Sequence, residues 1–158
     1  MKKIVVLTFV FLVFAPFLIA LNQNRESTHA ALEITGGYLR AKPPGQLVTA
    51  GFLSISNLSD QDCSILSAES SLTDRVEFHE HMHLDGMMKM RRKAYIKVDA
   101  GETIHFRPGG LHMMFFDLEM ELKEDEVEEI VLSTDQCGSH IVPLTITSLF
   151  ATGLKEYH

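Results

Sequence analysis

The sequence predicts a single all-β domain, a β-sandwich or small barrel, and three observations support this prediction. The chain has 158 residues, enough for one domain of ordinary size but too few for two. After Ala31, short runs rich in β-branched and aromatic residues recur, and none shows helical periodicity. These predicted strands are LVTAGFLSISN, SILSAES, DRVEFHEHMH, MMKMRRKAYIKV, TIHFRP, LHMMFFDL, EEIVLS and HIVPLTITSLF. Turn residues, such as PPG at 43–45 and PGG at 108–110, separate these runs. About seven or eight short strands with this spacing are typical of sandwiches and barrels.

The N-terminal segment, residues 1–20, indicates that the protein is exported. Two lysines after Met1 precede 17 apolar or small residues, a combination typical of an export signal. Pro16 interrupts the apolar run, which is also shorter than the ~20 residues that span a bilayer. We therefore expect a cleaved signal and a periplasmic or otherwise extracytoplasmic protein, with a retained N-terminal anchor as the alternative.

The remaining chain divides into a predicted polar linker over 21–30, a β-domain over 31–150 and a short tail over 151–158. Beyond residue 30 the chain has 11 basic and 20 acidic residues. This acidity argues against nucleic acids as partners, and against membrane contact except through an uncleaved N-terminal segment, because both surfaces attract positive charge. Seven carboxylates lie within 119–129. We expect a solvated turn there, with an acidic docking face for a basic partner as the alternative.

The chain has two cysteines, Cys63 and Cys137. In an oxidising compartment two cysteines usually pair, so we expect one disulfide, which stabilises by roughly 2–4 kcal/mol where the geometry allows it. Free thiols or an intermolecular bond are the alternatives.

Histidine and methionine are concentrated in the sequence HEHMHLDGMMKM. Because side chains alternate along a strand, His79, His81 and His83 are predicted on one face, with Phe78 and Met82 on the other. The predicted core therefore lies on the Met82 side, and the three imidazoles share the opposite face.

The dipeptide DG in this stretch predicts a two-residue hairpin turn. Such a turn pairs His81 with Met90 and leaves His79 diagonal to the same methionine. His83 is then paired with Met88. Cross-strand and diagonal neighbours lie roughly 4.5–8 Å apart, which is near enough for them to share an ion.

A second pair of candidate ligands lies in the sequence GLHMMFF. Alternation places His112 and Met114 on one face and Met113 on the other, so Met113 is predicted to be a core residue. The pattern thus brings two imidazole-bearing strands and at least two thioethers to one patch.

The mixture of imidazole and thioether predicts a Cu(I) site. Thioethers are soft, neutral ligands that favour Cu(I), whereas zinc prefers thiolate, imidazole and carboxylate, and calcium and magnesium need oxygen. Two imidazoles and two thioethers also bring no negative charge to balance a second positive charge on the metal. The predicted ligands are two histidines and two methionines: His79, Met90, His112 and Met114. The secondary candidates, which could add a Cu(II) site or only tune the first, are His81, His83 and Met88.

The four predicted ligands have the spacing H-x10-M-x21-H-x-M, which resembles the motif of the periplasmic copper chaperones of the PCu(A)C family. Similar phrases surround it, among them YLRAKPPGQLVTAGFLSISN, AGETIHFRPGGLHMM and VPLTIT, so the resemblance covers about residues 31–148. It implies a cupredoxin-like Greek-key β-barrel that binds Cu(I) through those four side chains. It also implies a carrier that hands copper to an accepting protein, either the oxidase subunit with the Cu(A) centre of cytochrome c oxidase or another assembly chaperone.

The chain departs from the family at three places. His81 and His83 stand where the family commonly has methionine, Tyr38 stands where it often has tryptophan, and the cysteine pair is not part of the family pattern. The two extra imidazoles leave the number of copper sites open.

Three other functions compete with a copper carrier. We predict that the chain is not an enzyme, because it contains no Ser-His-Asp arrangement and no cofactor fingerprint. A blue-copper electron carrier is suggested by Cys137 and His140, but no methionine follows His140 closely and the histidine-methionine cluster would be unused. A copper-buffering or resistance protein would have the same ligands, and only the family resemblance argues against it.

Overall fold

The computed structural model describes residues 31–84 and 86–148, which form ten β-strands and no helix. The strands are β1 (Leu32–Arg40), β2 (Thr49–Asn57), β3 (Cys63–Ser70), β4 (Val76–Leu84), β5 (Met87–Lys93), β6 (Ile96–Val98), β7 (Thr103–Phe106), β8 (Leu111–Phe115), β9 (Val127–Thr134) and β10 (Ser139–Thr147). Within the described ranges there is thus no helix that could cross a membrane. The predicted export segment, linker and C-terminal tail lie outside the described residues.

All ten strands belong to one sheet, in the order β5-β4-β8-β7-β2-β1-β10-β9-β3-β6, and β8 also pairs with β2. Pairing is antiparallel except between β1 and β10 and between β7 and β8. The sheet curls until β3 contacts β4, so that it forms a nearly closed barrel with β5 and β6 at its two edges. The prediction of a single all-β domain is confirmed.

The predicted number of strands was too low, for two reasons. The run MMKMRRKAYIKV divides into β5, which pairs with β4, and β6, which pairs with β3. β1 was missed because Gly36, at φ +64°, and Gly37 lie at a bulge that shifts the register between Thr35 and Tyr38 and so breaks the alternation.

The barrel interior is filled by side chains from nearly every strand. The largest fully buried apolar side chains are Phe115, Leu39, Ile55, Ile65, Met113, Leu118, Ile130, Leu132, Leu144, Ile146 and Val98. Met113 is fully buried, as predicted from strand alternation. Burial of this apolar surface, at about 25 cal/mol per Å², is the main stabilising contribution to the fold.

A disulfide joins Cys63, at the start of β3, to Cys137, in the turn between β9 and β10. The two Cα atoms are 6.1 Å apart and the residues are separated by 74 positions in sequence. A bond that closes so long a loop restricts the unfolded chain, which stabilises the fold by roughly 2–4 kcal/mol.

The acidic stretch after β8 is an exposed loop, as predicted for a solvated turn. Its carboxylates at 119, 121, 124, 125 and 126 are all exposed. The loop is held to the barrel by Asp125, whose backbone N–H donates to the carbonyl of Ile146 at 2.9 Å.

Candidate metal centre

The hairpin of β4 and β5 has the predicted register. His81 lies opposite Met90, His83 lies opposite Met88, and the turn contains Gly86 at φ +75°. Because β5 is an edge strand, its methionines remain accessible: Met90 is 50% exposed and Met88 57%. The edge of the sheet therefore presents thioethers to solvent beside a row of imidazoles.

Strand β8 lies against the other side of β4 and brings the second pair of candidate ligands. His79 is directly opposite His112, and Glu77 is opposite Met114. The rings of His79 and His112 have centroids 6.0 Å apart. His79, His112, Met90 and Met114 thus project from one face of three neighbouring strands, β5, β4 and β8.

The ring of His79 is oriented by Glu77, two residues earlier on the same face of β4. Its Nε2 lies 2.8 Å from a carboxylate oxygen of Glu77. The hydrogen bond with His79 is the main cause that lowers the pKa of Glu77, and Arg75 acts in the same direction. An ionised carboxylate can only accept, so Nε2 of His79 has the proton and Nδ1 has the lone pair. Nδ1 is buried and has no hydrogen-bond partner.

The ring of His112 is oriented by the backbone. Its Nδ1 donates to the carbonyl of Gly110 at 2.9 Å, which leaves the lone pair on Nε2. His112 is only 3% exposed. This burial lowers its pKa against the opposing effect of the hydrogen bond to Gly110, so the ring is neutral at neutral pH and able to bind a metal.

His81 belongs to the same cluster, whereas His83 and Met88 lie further toward the hairpin turn. The ring of His81 stacks on that of His112, with centroids 5.0 Å apart and an angle of 26° between the planes. Its Nδ1 is buried and, like that of His79, has no hydrogen-bond partner. His83 and Met88 are exposed. The three secondary candidates are therefore not equivalent.

The donor set fits a soft monovalent ion better than a divalent one. Among residues 31–84 and 86–148, no three His, Cys, Asp or Glu side chains converge as a metal-binding group. An ion bound by the thioethers and imidazoles of this face would be a soft one, and such donors favour Cu(I). Buried polar atoms without partners are rare in folded proteins, and the two open Nδ1 atoms are explained if they are metal ligands.

The second possible copper ligand set is not available. The sulfur of Cys137 is bonded to Cys63 and so cannot act as a thiolate ligand. His140 donates instead from Nε2 to the carbonyl of Cys137 at 2.9 Å. A blue-copper site needs a thiolate, so the hypothesis of an electron carrier loses its central ligand.

The family with the description "Putative lipoprotein LpqE-like" matches residues 32–146. The chain belongs to the LpqE-like family. A relative in Leifsonia xyli subsp. xyli (strain CTCB07), named "Putative lipoprotein Lxx21020", is 28% identical over 92 residues, which are 58% of this chain and 55% of the relative. The match thus spans about half the length of that relative.

Solved structures, among them PCuAC domains, share the fold of this LpqE-like chain. The apo PCuAC domain of PmoF2 has a TM-score of 0.68 at 19% identity, over 78% of this chain and 95% of that one. The copper-bound form has a TM-score of 0.64 at 18% identity, over 75% and 93%. DR1885 from Deinococcus radiodurans with Cu(I) has a TM-score of 0.62 at 25% identity, over 78% and 85%. The expected cupredoxin-like fold and the resemblance to PCu(A)C chaperones are confirmed.

Sequence reasoning missed two groups that orient the candidate ligands. Glu77 could have been found, because alternation places it on the same strand face as His79. The carbonyl of Gly110 gives no such signal, since any residue has a carbonyl and only the fold determines which one faces the ring of His112.

Proposed function

We propose that this LpqE-like protein is an exported Cu(I) carrier that hands copper to an accepting protein. The proposed ligands are the two oriented histidines and the two methionines on the same sheet face: His79, His112, Met90 and Met114. The single observation that supports this best is the buried, unpartnered Nδ1 of His79, whose other nitrogen is held by Glu77. Such a carboxylate-histidine pair is the usual way in which proteins orient a metal-binding imidazole.

The relatives support the same proposal. One structural neighbour is a copper-bound PCuAC domain, and another, DR1885, was determined with Cu(I). The family description names a lipoprotein, which supports export from the cytoplasm. None of these relatives has a name that refers to catalysis. We propose that the protein binds and delivers copper and does not catalyse a reaction.

The exposure of the ligands suggests how copper leaves. His112 is buried and His79 is held by Glu77, whereas Met90 is half exposed on an edge strand. An incoming thiolate or imidazole can therefore reach the ion first from the Met90 side and replace that thioether. The two oriented imidazoles hold the ion until the exchange is complete. Such stepwise exchange gives a carrier that binds copper and still releases it.

His81 adds a nitrogen donor that the simpler two-His, two-Met site does not have. Because its ring stacks on His112 and its Nδ1 is open, it can join the site when copper is oxidised. Cu(II) prefers nitrogen donors over thioethers. We therefore assign the secondary Cu(II) role to His81, with His83 as an outer candidate on the same hairpin.

For the recipient, we propose the Cu(A) centre of cytochrome c oxidase or a chaperone that assembles it, in the periplasm or its equivalent. Copper buffering for resistance is the second candidate, because it needs the same ligands. Deletion of the gene separates the two. A carrier predicts a fall in oxidase Cu(A) content at ordinary copper levels, and a buffering protein predicts a fall in survival only in excess copper.

Titration of the purified chain with Cu(I), followed by X-ray absorption, tests the proposal directly. We expect about two sulfur and two nitrogen neighbours around each copper ion. A shell of nitrogen and oxygen alone would exclude the methionines and overturn the proposed ligand set.

A further inference from the structure

Strands β5 and β6, with the residues between them, form a basic surface on an acidic protein, and Arg92, Lys93 and Lys97 line one pocket there. The chain has a net charge of −7, with 14 lysines and arginines in all. Five of these lie between positions 89 and 97, and we call them the basic edge: Lys89, Arg91, Arg92, Lys93 and Lys97. Strand β5 itself contains no carboxylate.

The domain neutralises only part of this charge. Three of the five cations lie against its own carboxylates, namely Lys97 at 2.7 Å from Asp62, Lys93 at 3.3 Å from Glu80 and Arg92 at 3.6 Å from Glu77. Within 31–84 and 86–148, neither Lys89 nor Arg91 is in an ion pair. Both are exposed, so their charge is available to a partner.

The two unpaired cations lie beside the proposed exit route for copper. Lys89 and Arg91 flank Met90 in sequence, on the strand at the edge of the sheet. Because side chains alternate along a strand, Lys89 and Arg91 point to the opposite face of β5 from Met90. They therefore do not occupy the face that has the proposed ligands. Because no strand of the described residues lies beyond β5 in the sheet, a partner that meets this edge can contact Lys89 and Arg91 on one face and reach Met90 on the other.

We propose that the basic edge docks the acidic face of the protein that exchanges copper with this one. This inference rests on the proposed function and names the chemistry of the partner. An acidic partner is repelled by most of the surface, because residues 31–158 have 20 acidic against 11 basic residues. It is attracted most strongly at the basic edge, which has five of those 11 basic residues, so the same charges that speed its approach also select its orientation.

Two other roles for the basic edge are less well supported. Charged side chains on an edge strand, lysine especially, prevent pairing with other sheets, but this role does not account for five cations between positions 89 and 97. An anionic membrane would also attract lysine and arginine, but it would meet the carboxylates on the rest of the domain. A protein partner of limited size avoids that repulsion.

A matched pair of peptides tests the docking separately from copper binding. Both have the same Cu(I)-binding core of histidine and methionine, flanked by glutamates in one and by glutamines in the other. On the copper-free full chain, NMR titration should show shifts of β5 amides with the glutamate peptide alone. On the Cu(I)-loaded chain, transfer to the glutamate peptide should be about tenfold faster at low ionic strength.

The double variant Lys89→Glu/Arg91→Glu should abolish the differences between the two peptides in NMR shifts and in transfer rate. The control Lys42→Glu/Lys123→Glu makes the same change in net charge away from β5 and should keep them. A milder variant, Lys89→Gln/Arg91→Gln, gives the same test if charge reversal disturbs folding. Cu(I) affinity, measured by chelator competition, should be unchanged in all three.

Several outcomes would overturn the docking inference. One is an equal rate of copper transfer to the two peptides by a wild-type chain that binds Cu(I). That result would leave the proposed function intact. Others are loss of the rate difference in the control variant, co-sedimentation with phosphatidylglycerol vesicles that depends on Lys89 and Arg91, or self-association through the same residues. If the wild-type chain binds no Cu(I), the proposed function fails, and the NMR shifts alone decide the docking.

Discussion

Sulfur is used in opposite ways at the disulfide and at the metal face. Cys63 is fully buried and covalently bonded, on a strand that pairs with β6 and β9. Met90 is half exposed on an edge strand. The first arrangement stabilises the fold, and the second leaves a donor free to bind and release an ion. In an oxidising compartment thiols are consumed by disulfides, so exchangeable sulfur is supplied by methionine.

The same contrast appears in the hydrogen bonds. Near the disulfide, Asp135 accepts from the backbone N–H of Ser64 at 2.9 Å and of Gln136 at 2.8 Å. At the metal face, Nδ1 of His79 and Nδ1 of His81 are buried without partners. Unpaired polar atoms cost stability, and two of the three that are buried within the described residues lie at this face, the third being Nε of Arg40. The following experiments test this separation of stability from binding.

The largest effect is expected from removal of the disulfide in the variant Cys63→Ala/Cys137→Ala. The free energy of unfolding should fall by roughly 2–4 kcal/mol, because the unfolded chain gains freedom. Denaturant titration measures this change. Cu(I) affinity of the folded variant should stay within a factor of about two, and a tenfold loss would show that the two regions are coupled.

The variants Met90→Leu and Met114→Leu should weaken Cu(I) binding while the stability of the fold is nearly unchanged, the reverse of the effect of removing the disulfide. Leucine is close to methionine in size, so the free energy of unfolding should change by less than about 1.5 kcal/mol. Each variant should bind Cu(I) at least tenfold more weakly, about 1.4 kcal/mol or more, in chelator competition. Met88→Leu is the matched control on the same edge strand, and unchanged affinity in both test variants would remove the central claim.

A smaller effect is expected from Glu77→Gln, which weakens the hold on the ring of His79. Loss of such a partner lowers metal affinity by about 10-fold to 100-fold, and we expect the lower end because glutamine still has an acceptor oxygen. Glu80→Gln, on the opposite face of β4, is the control and should have no effect on Cu(I) affinity. A similar loss in both variants would mean that net charge, rather than ring orientation, is responsible.

The smallest effect on Cu(I) is expected from His81→Ala. We expect only a few-fold loss for Cu(I) but a loss of about tenfold or more for Cu(II), since the oxidised ion prefers nitrogen donors. Competition assays with a chelator for each oxidation state make this comparison, and His105→Ala, an exposed histidine on β7, serves as the control. Equal losses of affinity for Cu(I) and Cu(II) would indicate that His81 competes with His79 for the same coordination position on the metal.

The local part of the site could be predicted from sequence, and the non-local part could not. The register of His81 with Met90 follows from a two-residue turn, because such a turn leaves no freedom in the pairing of its strands. The pairing of His79 with His112 depends on how the whole core packs, including the contact of Phe78 with Met113 across the strands. For that pairing the family resemblance was the only guide.

The fold shows the same division. Alternation identified the strands that are regular, while the Gly36-Gly37 bulge concealed β1 and the break after Lys93 concealed β6. Both failures occur where backbone geometry, rather than side-chain pattern, determines the path of the chain. Periodicity contains no information about such places.

The carbonyl of Gly110 links two of the imidazole-bearing positions mechanically. It accepts from Nδ1 of His112 at 2.9 Å and from the backbone N–H of His81 at 3.2 Å. The turn that positions it is closed by a hydrogen bond from Gly110 N–H to the carbonyl of Arg107 at 3.1 Å. A small displacement of this turn therefore rotates one ring and shifts the strand beneath the other in a single movement. The geometry of the histidine cluster thus depends on one backbone oxygen.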